Sequence, residues 1–123
     1  MNSETERFTK WFTDFGNAWA ALDYQKAVNL FSKDVEYYES AVDKPCANWD
    51  VVLNLWSVVP KNQKNVKFSF ELLATTENTS VANWKVVRTL VPSNIKQTID
   101  GIFVVKLNGR GLCNYFKQWR AVK

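Results

Sequence analysis

The spacing of apolar residues in this chain changes at Pro60, and that change limits what the chain can fold into. Upstream, Phe8, Trp11, Phe12, Phe15, Trp19 and Leu22 recur every three or four residues, which puts them on one face of a helix. Downstream, Val66, Phe68, Phe70 and Leu72 alternate with Lys67, Ser69 and Glu71, the period of a strand with one buried side. Ser3-Glu4-Thr5-Glu6 reads as a capping box opening the first helix. Asp23 reads as the cap of a second, short helix whose Ala27, Leu30 and Phe31 face inward. A strand follows from Val35 to Ser40. Asn48 then caps a third helix carrying Val52, Leu55, Trp56 and Val59, stopped by Pro60. Ser80 to Val91 reads as another strand, and Lys96–Leu107 with Leu112–Arg120 as a hairpin across Asn108-Gly109-Arg110-Gly111. Helices first and long antiparallel strands after them define an α+β class, with the helices packed into a curved sheet.

The chain has 123 residues, the length of one domain spanning 1–123. Aromatics make up 15% of it, enough to build a core and still line a cavity. It contains no histidine, which rules out Ser-His-Asp and Cys-His nucleophilic systems and His-ligated zinc or iron. Its four glycines form no phosphate-binding loop. Chemistry here would fall to carboxylates, Tyr, Lys, Arg, Cys or a bound cofactor; we expect no metal and no cofactor. No apolar run is long enough for a membrane helix, and the polar, acidic start does not read as a signal peptide. The expected location is the cytoplasm, with Cys46 and Cys113 as reduced thiols. Residues 1–60 hold five basic and nine acidic side chains, a net −4, and residues 61–123 hold eleven and three, a net +8.

Four stretches and a closing strand carry a resemblance. They are Trp19-Ala20-Ala21-Leu22-Asp23, Phe31-Ser32-Lys33-Asp34-Val35-Glu36-Tyr37-Tyr38-Glu39, Ala82-Asn83-Trp84 and Asp100-Gly101-Ile102-Phe103-Val104-Val105-Lys106-Leu107. Gly111-Leu112-Cys113-Asn114-Tyr115-Phe116-Lys117-Gln118-Trp119 follows them. In this order they resemble the nuclear transport factor 2-like superfamily, and within it the SnoaL-like domains. The resemblance implies a cone, a strongly bent antiparallel sheet with N-terminal helices in its concave face, as in cystatin-like folds. It covers relatives as different as ketosteroid isomerase, polyketide cyclases and non-catalytic adaptors, so fold alone does not assign an activity.

Alternation sorts the strand residues independently of that resemblance. Phe68, Phe70, Leu72, Ala82, Trp84, Val86, Ile99, Gly101, Phe103, Val105 and Leu107 share one apolar face, and Arg88 follows in phase near its rim. Asn114, Phe116, Gln118 and Arg120 share one phase of the last strand, and the resemblance sets that phase on the concave side. Glu39 is the first candidate for chemistry, because the resemblance puts it where ketosteroid isomerase carries its catalytic carboxylate. A carboxylate set beside Trp and Phe is desolvated and becomes a competent general acid or base. The alternative is a rim carboxylate paired with Lys or Arg. Phe103 falls where the isomerase has an oxyanion-stabilising acid, and the first helix offers no counterpart to its tyrosine, which argues against steroid isomerisation. Gln118 stands where many relatives carry Glu; it can orient a ligand but cannot take a proton. Asp100 is a second acidic candidate, yet alternation sets it with Lys96, Thr98 and Lys106 on the outer face unless Gly101 forms a bulge. Trp19, Trp56 and Trp84 read first as core and also as cavity walls. Tyr38 reads as a donor at the mouth; Tyr37 has no assigned place.

The outer phase collects Lys67, Lys85, Lys96, Lys106 and Lys117 with Val87, Ile102, Val104, Tyr115 and Trp119. We read it as the contact face of a twofold dimer in preference to a platform for nucleic acid. The function expected is binding of a small hydrophobic ligand. Its catalytic form is a cofactor-independent lyase, isomerase or hydrolase acting on an oxygenated metabolite through carboxylate acid/base chemistry. The alternative is a non-catalytic ligand-binding or protein-interaction module, and whether the chain is an enzyme stays open.

Overall fold

A computed structural model describes residues 3–40, 42, 44–46 and 48–123. Helix α1 spans Ser3–Ala20, so Ser3 lies inside the helix instead of capping it. Leu22 is not on the helical face: it adopts φ 57° in the turn after α1, a left-handed conformation that ends the helical path. Asp23 accepts the Lys26 backbone N–H at 3.1 Å and opens α2, Tyr24–Val28. That helix is shorter than its periodicity suggests, because Phe31 already begins strand β1, Phe31–Tyr38. Asn48 caps α3, Trp49–Ser57, by accepting from Val51 N at 3.1 Å. Pro60 does not stop this helix. It sits in the first turn of a separate short helix, α4, Val59–Asn62, where a missing N–H costs nothing.

The strands β2 (Gln63–Thr75), β3 (Thr79–Leu90), β4 (Lys96–Leu107) and β5 (Cys113–Val122) complete the chain. The sheet order is β1-β5-β4-β3-β2. Three of its four pairings are antiparallel, while β1 lies parallel to β5, so the sheet is antiparallel in the main but not throughout. Parallel pairing needs a long crossover, and the chain from α3 to β4 supplies it.

One side chain shows how strongly the sheet bends. The Phe15 ring on α1 is fully buried, and its centroid lies 5.9–6.2 Å from those of Phe31 on β1, Phe116 on β5, Phe103 on β4 and Phe68 on β2. Strands β1 and β2 are the two edges, separated by four strand spacings, which in a flat sheet would be roughly 19 Å. One phenyl ring can touch both edges only if the sheet curls around α1. Gly16 permits the close approach on one side, because a Cβ there would fall 2.3 Å from Phe68 Cδ1. The result is the cone, closed around α1 by side chains from every strand. Among the described residues no helix is long and apolar enough to cross a membrane.

Candidate functional site

A cavity of about 80 Å³ lies where α1, α3 and α4 face the concave side of the sheet. Its walls are Phe15 and Trp19 of α1, Leu55 and Trp56 of α3, Val59 of α4, and Phe103 and Phe116 of the sheet. Its polar groups are Tyr37, Glu39, Gln63, Arg88, Gln118 and Arg120.

Strand β1 brings two of these together. Val35 and Tyr37 are buried, so the inward phase of β1 continues to Glu39, just past its end, and Tyr38 between them turns outward. The Tyr37 hydroxyl accepts from Trp56 Nε1 at 3.2 Å and donates to Glu39. Burial and the neighbouring Glu39 charge push its pKa well above the usual tyrosine value, against the opposing effect of the Trp56 N–H, so it remains a neutral donor. Across the sheet, Arg120 Nη1 stands 3.9 Å from Glu39 Oε1. Arg88 holds Gln97 Oε1 with Nε and Nη2, at 3.0 and 2.9 Å. Half-burial lowers its pKa, repulsion from Arg120 lowers it further, and Glu39 opposes both. On the α1 side, Trp19 Nε1 donates to Gln63 Oε1 at 2.9 Å. A carboxylate, a neutral phenol donor and two guanidinium groups thus meet above an aromatic floor. Such a set can exchange a proton and hold an oxygenated or anionic group.

The structure distributes the residues singled out in the sequence as follows. Glu39, Trp19, Trp56, Arg88, Phe103 and Gln118 line the cavity. Trp84 is buried behind it, flat on Phe103 at 4.6 Å between centroids, and its Nε1 has no hydrogen-bond partner among the described residues. Asn114 does not join the cavity. Leu107 pairs with Cys113 and Lys106 with Tyr115, so Asn114 is the extra residue of a β-bulge and drops out of the inward phase that Phe116 and Gln118 keep. Tyr38 is not at the mouth either; its hydroxyl donates to Glu36, and Lys117 lies over its ring at 4.8 Å on the outer side. Asp100 stands on that outer side too, accepting from Asn83 Nδ2 at 2.8 Å with Lys85 Nζ 3.9 Å away.

Several residues that line the cavity, Tyr37, Leu55, Val59 and Gln63 among them, are not site candidates in the sequence. Tyr37 could have been found, since it lies two residues before Glu39 in the phase of Val35. The helical spacing of Leu55 and Val59 marks a buried face and not a cavity wall. Gln63 begins β2 directly after α4, and nothing in its sequence context marks it.

An aromatic-walled cavity inside a curled sheet defines an α+β cone protein. No family model matches the sequence. No curated protein matches it either. Solved structures do match. One is the epoxide hydrolase/cyclase-like enzyme SalBIII, described for its role in pyran ring formation in the polyether salinomycin; its TM-score is 0.83 at 12% identity, covering 99% of this chain and 98% of that one. A Bacillus subtilis protein named for a suspected isomerase activity matches with TM-score 0.84 at 12% identity, over 98% of this chain and 90% of its own. A nuclear transport factor 2-like protein of unknown function from Exiguobacterium sp. 255-15 matches with TM-score 0.73 at 16% identity, over 94% and 98%. The chain has the nuclear transport factor 2-like fold.

Proposed function

We propose that the protein is a SnoaL-like small-molecule-binding protein, acting as one unit over residues 1–123, and that Glu39 transfers a proton on a bound hydrophobic, oxygenated molecule. One observation carries this reading: Tyr37, Glu39 and Gln118 converge on a cavity walled by Phe15, Trp19, Trp56, Phe103 and Phe116. In it Glu39 is the general acid or base, the Tyr37 hydroxyl orients it, and Gln118 positions the ligand. The solved neighbours named for cyclase and isomerase chemistry support it by fold alone. The cytoplasm suits it, with neither Cys46 nor Cys113 in a disulfide. We further propose that two copies pair through the outer sheet face.

The test is a thermal-shift screen of apolar acids, ketones and epoxides, followed by turnover assays on the binders. Glu39→Gln should bind the same compounds and lose turnover. Unchanged turnover in that variant would remove Glu39 from the mechanism.

The size of the cavity favours a second reading. Ligand pockets usually measure about 300–1,000 Å³, well above the 80 Å³ found. On that reading Glu39 is a rim carboxylate balancing Arg120, and the chain binds a compact ligand or a protein without catalysing a reaction. Binding without turnover of any screened compound is the result that would favour it.

A further inference from the structure

We propose that the cavity takes a ligand bearing a single carboxylate, its charged end at Arg88 and Arg120 and its apolar end among Phe15, Trp56 and Phe103. This rests on the ligand-binding reading above and narrows it to a substrate class. Among the described residues, four ionisable side chains line the cavity: Tyr37, Glu39, Arg88 and Arg120. Tyr37 stays neutral, so among these described residues two guanidinium groups face one carboxylate, with one positive charge in excess. Glu39 does not satisfy Arg120 closely, for 3.9 Å is an ion-pair separation and too long for a hydrogen bond. Among the described residues Arg88 hydrogen-bonds Gln97 alone, and it repels Arg120.

A planar carboxylate between the two guanidinium groups would complete their hydrogen bonding in the geometry they favour and cancel the excess charge. A dianion would overshoot, leaving a negative charge in excess beside Glu39. The space available sets the rest of the ligand. One buried water needs about 10–15 Å³, so a cavity of about 80 Å³ holds roughly five to eight water-sized groups. A single ring fits that space and a polycyclic body does not.

Calorimetric titration of the unmodified protein at pH 8 tests the inference with three matched probes: phenylacetate, phenylacetamide and phenyl phosphate. A second series on a cyclohexyl ring covers ring shape. Phenylacetate should bind at least about tenfold more tightly than either companion. Arg88→Met and Arg120→Met should each weaken the acid far more than the amide and so erase most of its preference, while Arg120→Lys keeps part of it. The acid-to-amide ratio is read on the unmodified chain, so a variant that fails to fold does not blunt the test. An amide that binds as tightly as its acid, or a phosphate that binds more tightly, overturns the carboxylate and leaves the ligand-binding reading standing. Failure of every member of both series to bind overturns both.

Discussion

The guanidinium of Arg120 stands 3.9 Å from the carboxylate of Glu39 at the edge of the cavity, and the two side chains are 39% and 36% exposed. That geometry makes the pair a weak structural element. Half-exposed ion pairs of this kind contribute about 0–1 kcal/mol, because solvent screens them and two long side chains lose freedom. A double-mutant cycle of Glu39→Gln and Arg120→Met, followed by urea unfolding, should therefore give a coupling below about 1 kcal/mol. Glu39→Gln alone should leave the fold intact, since the amide oxygen still accepts from Tyr37. A coupling above about 2 kcal/mol would mark the pair as a structural bridge and weaken the case for Glu39 as a working acid.

Two glycines should differ in what they tolerate. A Cβ on Gly16 would meet the edge of the Phe68 ring at 2.3 Å, whereas one on Gly101 would meet the backbone carbonyl of Trp119 at 2.1 Å and Trp84 Nε1 at 2.9 Å. A ring can tilt, but a paired strand cannot shift without breaking its ladder. Gly16→Ala should cost about 1–3 kcal/mol from overpacking, partly offset by about 1 kcal/mol of helix propensity. Gly101→Ala should cost more, and Phe15→Ala about 3–5 kcal/mol. Chemical denaturation ranks all three. A Gly101→Ala protein as stable as the parent would contradict the close contact of β4 with β5.

The sequence made some of this readable and hid the rest for physical reasons. Asp23 and Asn48 announce their helices because a capping side chain is a local signal, and each makes its expected backbone bond. The inward phase of Phe68, Trp84 and Phe103 is likewise local, needing only alternation. Pairing is not local. The parallel partnership of Tyr37 with Phe116 joins the first and last strands, and no short pattern encodes it. Asn114 was misplaced because a bulge shifts the phase by one residue and leaves composition unchanged. Leu22 fits the helical spacing, but its left-handed backbone has already left the helix. Gln63 joins the cavity through its bond to Trp19, a contact between residues far apart in sequence.

Tyr37 gives the fold a dependence on alkaline pH whose sign follows from its environment. Burial raises its pKa in the folded state above the unfolded value near 10, so above that pH the unfolded chain releases the proton first. The stability linked to Tyr37 is whole below about pH 10 and is lost as pH rises toward the folded-state value. The buried Cys113 thiol, raised by desolvation, adds a loss of the same sign that begins nearer pH 9. Tyr37→Phe should be less stable than the parent at pH 8 by about 1–3 kcal/mol, because it strands the Trp56 N–H and removes a donor to Glu39. Its stability should then fall less steeply between about pH 10 and 11. Urea midpoints across that range measure both effects; parallel slopes for the two proteins would contradict the assignment.

On the outer side of the sheet, Val87, Ile102, Val104 and Tyr115 are half-buried and Trp119 is 41% exposed. Lys106 lies over the Tyr115 ring at 5.1 Å and Lys117 over Trp119 at 5.3 Å, so lysine stems cover part of this apolar surface in the lone chain. A twofold partner would replace those stems with matching rings, and the cationic heads would move to the rim. Sedimentation equilibrium should then show reversible dimers. Trp119→Glu should weaken association by at least about tenfold, since truncating or charging a central aromatic typically costs more than 1 kcal/mol, while far-UV circular dichroism stays unchanged. A chain that remains monomeric up to about 100 μM, weaker than the micromolar affinity of modest specific interfaces, would leave this face to solvent and remove the dimer from the account.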